Sequence, residues 1–308
     1  MKVVSLFSGA GGLDLGFTMA GHEIIWANDN WSDAAETYKR NIGSNIVVKD
    51  IEKINPSEIP NCDMIIGGFP CQGFSIANKK RNANDRRNKL YLQFLRILKA
   101  KRPKYFLAEN VKGLLSLEGG KVFEAMLNNF GKAGYNVKFK VLNAADYGVP
   151  QRRERVIIIG VRSDFDIEID YPIPTHANPQ KKLDEKLKSW VSVGTALRDI
   201  PEPEDAPYLP NHICSKYRLH FNGHIGNRKI DPDKPAPTVT GRGDERGGVV
   251  ILHHPKNHRR MSARELATVQ SFPKNYEFFG CQTSVYRQIA NSVPPLLAKS
   301  IAETFPRD

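Results

Sequence analysis

Short apolar segments rich in β-branched residues recur through the first half of the chain. They are Val3–Phe7, Glu23–Asn28, Asn45–Asp50, Asp63–Gly68, Tyr105–Asn110, Asn136–Ala144 and Arg155–Arg162. Each segment has the length and composition of a buried strand. Amphipathic stretches between them, such as Trp31–Asn41 and Asn88–Lys101, predict helices, and the same pattern returns at Ser262–Ser271 and Pro294–Thr304. Strands alternating with helices predict an α/β fold with a doubly wound, mostly parallel sheet.

The last of these strands differs from the others in how it is connected. The link before it, roughly Ala145–Glu154, is shorter than the dozen or so residues that a parallel crossover needs. We therefore expect the final strand to run antiparallel to its neighbour. Both ends of the link then lie at the sheet edge where the parallel strands terminate.

Composition changes in the second half of the chain. Eleven of the 20 prolines fall within residues 171–255, and residues 211–260 hold six of the eight histidines and an excess of Lys and Arg. Helical periodicity is weak there. We expect a larger domain over residues 1–170, completed by a C-terminal helix within 285–308, and a smaller, irregular, basic domain over 171–284.

The overall charge points to a polyanionic partner without identifying it. The 308 residues include 45 Lys and Arg against 33 Asp and Glu, for a formal net charge of +12. Such an excess suits nucleic acid, but it also serves solubility. A composition with 40% hydrophobic and 25% charged residues is that of an ordinary globular protein.

Several protein classes are disfavoured. The longest apolar run, Val156–Val161, has six residues, too few to span a membrane, and the start resembles no secretory signal. The four cysteines are far apart without a C-x-x-C, and the histidines lack ligand-like spacing. We therefore expect a cytoplasmic protein with neither a disulfide scaffold nor a metal site.

A glycine-rich turn follows the first strand and precedes a helix. Its residues are Phe7, Ser8, Gly9, Ala10, Gly11 and Gly12. Glycines let the backbone approach a ligand, and a helix N-terminus offers free N–H groups to an anion. Asp14 occupies the last glycine position of G-x-G-x-x-G, which weakens a dinucleotide interpretation and leaves a ligand carboxylate as the anion. A tight turn that binds nothing is the alternative.

Two acids follow at the ends of the next two strands. Asp29 can accept hydrogen bonds from a ribose diol, and Asp50 can accept one from an adenine amino group. Either carboxylate can instead cap the helix that follows. Ligands of open α/β sheets bind at these strand ends, so three such features in succession favour a nucleoside site.

A cysteine follows the fourth strand. Cys71, between Pro70 and Gln72, is placed as a nucleophile, although a thiol needs activation at neutral pH. The alternative is a small buried hydrophobic residue, which is our interpretation of Cys62, Cys214 and Cys281.

The fifth and last strands supply an acid and a cluster of arginines. Glu109 at a pocket end can donate a proton to a substrate. Alternation places Gln151, Arg153 and Arg155 on one strand face, opposite Arg152. Clustered arginines usually form a solvated surface, but this topology directs them to the edge that holds the cysteine.

Taken in order, these motifs resemble the DNA (cytosine-5)-methyltransferases, most closely the bacterial restriction–modification type. The likeness extends to the C-terminal segments Arg264–Glu265, Gln270–Pro273 and Gln288–Pro294, and Pro235–Val239 resembles the start of the base-reading part of the target-recognition domain. Ala290 stands where the family usually has Gly. One further position departs from the pattern, since Asn30 stands where the family often has an aromatic that stacks on adenine, and Trp31 follows it.

The resemblance implies the fold of S-adenosylmethionine-dependent methyltransferases, S-adenosylmethionine as methyl donor, and no metal. The residues that the resemblance assigns to catalysis are Cys71, Glu109, Arg153, Arg155 and Gln72. Those that it assigns to cofactor binding are Phe7, Ser8, Gly9, Ala10, Gly11, Gly12, Asp29, Asn30, Trp31, Asp50, Ile51, Pro70, Asn291 and Ser292. Those that it assigns to DNA binding are Ser75, Arg81, Arg86, Arg87, Gln151, Thr238 and Arg242.

The resemblance also implies how the substrate is presented. Cytosine must leave the stacked duplex to react, and the polar, basic residues 73–89 are predicted to close over the DNA and grip phosphates. A monomer that shares its DNA site with a cognate endonuclease, without a stable complex, is implied. A tRNA cytosine-5 methyltransferase and a non-catalytic DNA-binding protein of the same fold remain alternatives, and a dehydrogenase is the weakest.

Overall fold

The structure is a computed structural model. It describes residues 1–70, 90–180, 185–214, 221–222, 227–241, 250–256 and 259–307. Within this part of the chain no helix is long and apolar enough to cross a lipid bilayer.

A seven-stranded sheet organises the first half of the chain. Its strands are β1 (Lys2–Leu6), β2 (Glu23–Asp29), β3 (Ile46–Val48), β4 (Met64–Gly67), β5 (Tyr105–Val111), β6 (Tyr135–Asn143) and β7 (Glu154–Arg162). The spatial order is β3-β2-β1-β4-β5-β7-β6. Neighbours from β3 to β5 pair in parallel, whereas β7 runs antiparallel to both β5 and β6. The predicted α/β sheet with an antiparallel final strand is therefore confirmed.

Helices cover both faces of this sheet. In chain order the helices of the described residues are α1 (Gly12–Met19), α2 (Ser32–Asn41), α3 (Leu90–Lys101), α4 (Lys121–Lys132), α5 (Val193–Ala196), α6 (Ala263–Val269), α7 (Gln282–Asn291) and α8 (Pro295–Ala302). Of these, α1, α2 and α8 pack on one face of the sheet, and α3 and α4 pack on the other. Two short strands, β8 (His176–Ala177) and β9 (Lys188–Ser189), form a separate parallel pair.

Alternation along β1 shows why its sequence is almost continuously apolar. Val3 packs in the cluster on the face covered by α1, α2 and α8, while Val4 packs on the face covered by α3 and α4. A strand buried on both faces needs apolar side chains at nearly every position. Ser5, on the same side of the strand as Val3, is a fully buried exception.

The third strand is shorter than the predicted Asn45–Asp50. Asp50 leaves the ladder and accepts a hydrogen bond from the Glu52 N–H (3.0 Å), which caps the 3-10 turn Ile51–Lys53. The side-chain cap replaces a continued strand hydrogen bond, which explains the early end.

A third hydrophobic cluster lies in the second half of the chain. It joins α5, α6 and α7 with the segment around Phe272, Tyr276 and Phe278, whereas α8 packs on the sheet. Ala10 of the glycine turn also belongs to this cluster. The two halves of the chain therefore meet at the turn that follows β1. The proposed boundaries, 1–170 with 285–308 and 171–284, remain predictions.

Candidate active site

The glycine turn after β1 has the conformation that its sequence predicts. Gly11 has a positive φ of 81°, and a Cβ there would lie 2.2 Å from the Ile42 side chain. A Cβ on Gly12 would lie 2.3 Å from the carbonyl oxygen of Val293. Glycine is thus required by close packing on two sides. The Ser8 N–H donates to the Asn28 carbonyl (3.0 Å), which ties the turn to the end of β2.

Asp29 holds this turn in place from the end of β2. Its Oδ2 accepts from the Gly9 N–H (2.8 Å), and its Oδ1 accepts from the Trp31 N–H (2.9 Å). Burial raises the pKa of Asp29, and these hydrogen bonds oppose that rise. Asp50 caps the 3-10 turn that follows it, as the capping alternative predicts, whereas Asp29 holds the glycine turn and does not cap α2, whose N-cap Trp31 has no side-chain cap. Both acids also line the cavity described next.

A cavity of about 620 Å³ opens at the carboxyl ends of β1, β2, β4 and β5. This volume lies within the ~300–1,000 Å³ common for small-molecule sites. The predicted residues that line it are Phe7, Ser8, Gly9, Ala10, Gly12, Asp29, Asn30, Trp31, Asp50, Ile51, Pro70, Glu109, Arg153, Arg155, Thr238, Asn291 and Ser292. The predicted residues Gly11 and Gln151 do not line this cavity. Among the described residues, no group of three or more His, Cys, Asp or Glu side chains is placed to hold a metal ion.

An ion pair lies at the far side of the cavity. Nε of Arg155 is 2.9 Å from Oε1 of Glu109, with side chains 11% and 12% exposed. Gly68 makes room for the acid, since a Cβ there would lie 3.1 Å from Glu109 Oε2. Burial lowers the pKa of Arg155, and the neighbouring Glu109 opposes that shift.

Arg153 has a different environment from its neighbour. It is fully buried, and its terminal nitrogens donate to the carbonyl oxygens of Val239 (2.9 Å), Ala290 (2.8 Å) and Ser292 (3.0 Å). Burial, and then the charge of Arg155, hold the pKa of Arg153 well below its usual range. Its side chain therefore joins the start of the last strand to two distant segments, around Val239 and around Ala290–Ser292, which the sequence pattern did not indicate.

Gln151 also differs from the prediction, which placed it against DNA. It is fully buried, its Nε2 donates to Gln270 Oε1 (2.8 Å), and its Oε1 accepts from the Val239 N–H (2.9 Å). A buried amide must satisfy its hydrogen bonds within the protein. In this arrangement Gln151 offers no surface to DNA. Thr238, half-buried at the cavity wall, donates its hydroxyl to the Arg152 carbonyl (2.7 Å).

The alternation predicted for this strand entry is confirmed. Arg152 and Glu154 are exposed, whereas Gln151 and Arg153 are buried and Arg155 is nearly so. A solvated arginine cluster, the alternative interpretation, would have left all three arginines exposed.

Several predicted site residues lie outside the described residues. They are Cys71, Gln72, Ser75, Arg81, Arg86, Arg87 and Arg242, together with the rest of the predicted DNA-closing segment 73–89. Their assigned roles remain predictions. Pro70, which precedes Cys71 in the sequence, lines the cavity.

Sequence reasoning missed a polar cluster below the glycine turn. Asp14 is fully buried, and its Oδ1 accepts from the Tyr38 hydroxyl (3.3 Å). Burial raises the pKa of Asp14 to about 7. The Tyr276 hydroxyl donates to the Ala10 carbonyl from the second half of the chain. An acid on the apolar face of a helix, between the buried Leu13 and Phe17, was the available signal.

Comparisons with known proteins agree with this geometry. The family model of the C-5 cytosine-specific DNA methylases matches residues 1–307. The Type II methyltransferase M.NgoFVII of Neisseria gonorrhoeae is 41% identical over 99% of this chain and 87% of its own length. The Type II methyltransferase M.MthTI of Methanothermobacter thermautotrophicus is 36% identical over 100% of this chain and 98% of its own length.

Solved structures show the same architecture. A prophage-encoded Escherichia coli protein assigned as a DNA modification methyltransferase is 26% identical, with a TM-score of 0.78 over 99% of this chain and 98% of its own. The Dnmt2 methyltransferase of Schizosaccharomyces pombe, 20% identical, shares the fold with a TM-score of 0.65 over 97% and 96%. The family model, spanning nearly every residue, shows that the chain belongs to the C-5 cytosine-specific DNA methylases and is a DNA (cytosine-5)-methyltransferase.

Proposed function

We propose that this enzyme transfers the methyl group of S-adenosylmethionine to C5 of a flipped cytosine in duplex DNA, through a covalent bond between Cys71 and C6. The observation that carries the proposal is the Glu109–Arg155 pair (2.9 Å) in the same cavity as the glycine turn. One cavity thus combines an acid for the base with a turn suited to the cofactor.

The residues present fit S-adenosylmethionine. The N–H groups at the start of α1 suit the carboxylate of its methionine part, and Asp29 and Asp50 suit the ribose and adenine. Trp31 and Asn30 both line the cavity, but only Trp31 carries a ring that can cover adenine. We assign that role to Trp31. When bound, the cofactor supplies an electrophilic methyl group on a sulfonium.

The chemical difficulty lies in C5 of cytosine, which is a poor nucleophile. In the proposed reaction Cys71 adds as a thiolate to C6. Glu109, after it has taken up a proton from the solvent, gives this proton to N3, so that C5 becomes enamine-like. C5 then forms a bond to the methyl carbon as the sulfur–methyl bond breaks. A base removes the C5 proton, water being one candidate, Cys71 leaves as a thiolate, and N3 returns its proton to Glu109.

The two arginines receive different roles in this scheme. Arg155 contacts Glu109 and lines the cavity, so we assign it to orient the acid and to bind cytosine O2 or an adjacent phosphate. Arg153 donates to carbonyls of two distant segments that line the cavity, so we assign it, with Gln151, as a positioning residue. Both assignments follow from hydrogen-bond partners rather than from charge alone.

DNA binding follows from the family and from the charge of the chain. The target base must be everted before Cys71 can reach it. We assign phosphate contacts to Ser75, Arg81, Arg86 and Arg87, a backbone or base contact to Thr238, and a guanine contact to Arg242. These assignments rest on sequence and on the resemblance.

The Type II relatives suggest the biological role. We propose that methylation protects host DNA in a restriction–modification system and that a cognate endonuclease cuts the same sequence. We also propose that the enzyme acts as a monomer in the cytoplasm. Methylating a plasmid and sequencing it after bisulfite treatment identifies the target site.

A mechanism-based trap tests the covalent step. Duplex DNA containing 5-fluorocytosine at the target position, with S-adenosylmethionine, is expected to form a stable adduct that mass spectrometry maps to Cys71. Cys71→Ser should form none. Cys281, which is exposed and not buried as the sequence suggested, lies outside the cavity lining, so Cys281→Ser should react like the parent enzyme. Label transfer to tRNA rather than to duplex DNA would instead support the tRNA methyltransferase. Duplex binding without any label transfer would support a non-catalytic protein.

A further inference from the structure

One buried residue bonds to the ends of neighbouring strands around the cavity. Asn28, the last but one residue of β2, is 1% exposed and lines the cavity. Its carbonyl oxygen accepts from the N–H (3.0 Å) and the Oγ (3.2 Å) of Ser8, in the turn after β1. Its side-chain Nδ2 donates to the carbonyls of Val47 (2.9 Å), in β3, and Lys49 (2.8 Å), just after β3. Asn28 therefore links the ends of β1 and β3 to the end of β2.

The bond from Asn28 to Lys49 takes the place of a bond of the strand ladder. β2 and β3 pair in parallel, and at the end of this pair the Lys49 N–H donates to the Asp29 carbonyl (3.1 Å). In a continued parallel ladder the Trp31 N–H would next donate to the Lys49 carbonyl. That N–H donates to Oδ1 of Asp29 instead (2.9 Å), and the side chain of Asn28 supplies the donor. An asparagine amide has two N–H donors on one nitrogen, so it can serve both carbonyls.

This bond orients the peptide group that leads into Asp50. A peptide group is planar, so a hydrogen bond to the Lys49 carbonyl also orients the N–H of Asp50. The strand itself supports this peptide weakly, because β3 is a three-residue strand at the edge of the sheet and its last residue, Val48, is 46% exposed. The side chain of Asn28 therefore stabilises the position at which Asp50 leaves the sheet.

The turn after Asp50 is anchored to a different part of the fold. Ile51 packs in the hydrophobic cluster below α3, and its carbonyl accepts from Arg96 of that helix (2.9 Å). Oδ1 of Asp50 accepts from the Glu52 N–H (3.0 Å) within the turn. These contacts hold the turn against α3, whereas the side chain of Asn28 ties it to the strand ends that carry the other predicted cofactor contacts.

The proposed contact of Asp50 with adenine depends on this placement. A hydrogen bond from the adenine amino group requires its acceptor within ~2.7–3.2 Å, so a shift of Asp50 by about 1 Å would lose it. We infer that Asn28 is a positioning residue that holds Asp50 at hydrogen-bond distance from the adenine amino group, and that it thereby sets the preference for adenine over a purine without that group. This inference rests on the proposed use of S-adenosylmethionine and on the contact assigned to Asp50.

Two ligands that differ in one amino group test the inference. The full-length parent, Asn28→Ala and Asn28→Leu, which keeps the size of the side chain, are titrated calorimetrically with S-adenosylhomocysteine and with its purine analogue, which lacks the 6-amino group. The parent should bind S-adenosylhomocysteine about tenfold or more tightly than the analogue, as for a hydrogen bond to a charged group. In both variants this ratio should fall to about threefold or less, because only S-adenosylhomocysteine loses affinity. Retained binding of the analogue shows that each variant is folded.

The substitutions change the β3 side of Asn28 alone, because the carbonyl that accepts from Ser8 belongs to the backbone. Asn41→Ala is the matched control. Nδ2 of Asn41 also donates to two carbonyls, those of Thr37 (2.6 Å) and Glu277 (2.8 Å), but Asn41 does not line the cavity. This variant should lose stability yet keep the parental ratio. In an Asp50→Ala background, Asn28→Ala should leave the ratio unchanged, since no carboxylate is left to position.

The outcomes separate this role from a structural one. A parental ratio in the Asn28 variants would overturn the inference, and so would an equal loss of affinity for both ligands, which marks general support of the fold. A parent protein that binds both ligands equally would also overturn it, because Asp50 would then make no contact with the amino group. A parent protein that binds neither ligand would instead contradict the proposed function.

Discussion

Nε of Arg155 lies 2.9 Å from Oε1 of Glu109, across two adjacent strands whose antiparallel register pairs Arg155 with Val111. This register, rather than a flexible loop, sets the direction of the acid. The contact also leaves the other carboxylate oxygen of Glu109 for a substrate. Gly68 lies against that oxygen, and a Cβ at this position would lie 3.1 Å from Oε2 and crowd it.

We expect Glu109→Gln to abolish most of the methyl transfer while retaining cofactor binding. The amide preserves size but has no acidic proton, and loss of a general acid costs ~10²–10⁴-fold in rate. Single-turnover methylation of duplex DNA measures this loss, and calorimetry with S-adenosylhomocysteine measures binding. Glu154→Gln, on the exposed side of β7 beside Lys112, is the control and should react at the parental rate. Parental turnover in Glu109→Gln would remove this acid from the mechanism.

Arg153→Met is expected to destabilise the fold and to weaken cofactor binding. Three buried carbonyls lose their donor at ~1–3 kcal/mol each, partly offset by removal of a buried charge, so the free energy of unfolding should fall by about 2–5 kcal/mol. Urea unfolding measures the loss. Because Ser292 lines the cofactor cavity, KM for S-adenosylmethionine should rise more than kcat falls.

The exposed Arg152→Met is the matched control for this prediction. Its unfolding free energy should stay within about 0.5 kcal/mol of the parent. A fall in kcat at unchanged KM in Arg153→Met would assign Arg153 to the reaction itself and contradict the positioning role.

The sheet could be predicted from the sequence because its strands are buried on both faces. Ile157, Ile158 and Ile159 pack on alternate faces of β7, and a strand that is buried on both faces needs apolar side chains at consecutive positions. The connection between β6 and β7 is too short for a parallel crossover, which predicted the antiparallel final strand. Both conclusions depend only on local pattern and chain length.

The partners of site residues depend on distant segments and could not be predicted. Arg153 was expected at the substrate, but its donors meet carbonyls 86, 137 and 139 residues away. Gln151, expected at DNA, meets Gln270 across 119 residues. The period of a strand predicts which face a side chain takes. It does not predict whether a segment that is distant in the sequence covers that face.

Asp14→Asn should stabilise the empty protein at neutral and alkaline pH. The folded pKa of about 7 lies above the unfolded value near 3.8, so Asp14 opposes folding increasingly as pH rises between them. At pH 8 the free energy of unfolding of the variant should exceed that of the parent by a few kcal/mol, because each pH unit between the folded and unfolded pKa values corresponds to ~1.4 kcal/mol. Near pH 3.5 the two free energies should converge. Urea unfolding from pH 3.5 to 8 measures this difference. A variant less stable than the parent at pH 8 would assign Asp14 to folding.

The positive charges of the predicted DNA-closing segment should increase the salt dependence of DNA binding. Replacing Arg86 and Arg87 by Gln should reduce the slope of log affinity against log salt by about 0.9 for each lost phosphate contact. Fluorescence anisotropy with a labelled duplex between 50 and 300 mM salt gives the slope. Lys39→Gln and Lys132→Gln, which remove equal charge at exposed positions outside both that segment and the predicted recognition domain, are the controls. An unchanged slope in the arginine variant would contradict its phosphate contacts.

Trp31→Ala should weaken cofactor binding because the ring is expected to cover adenine. Stacking of an aromatic side chain on a base contributes ~1–3 kcal/mol by alanine substitution, so affinity for S-adenosylhomocysteine should fall about five- to 150-fold. Trp31→Phe should recover most of that affinity. Asn30→Ala, at the neighbouring cavity position, should change it less than about twofold, and the reverse ranking would assign adenine contact to Asn30. The Trp31 N–H bond to Asp29 is made by the backbone, so both variants keep it and the comparison isolates the ring.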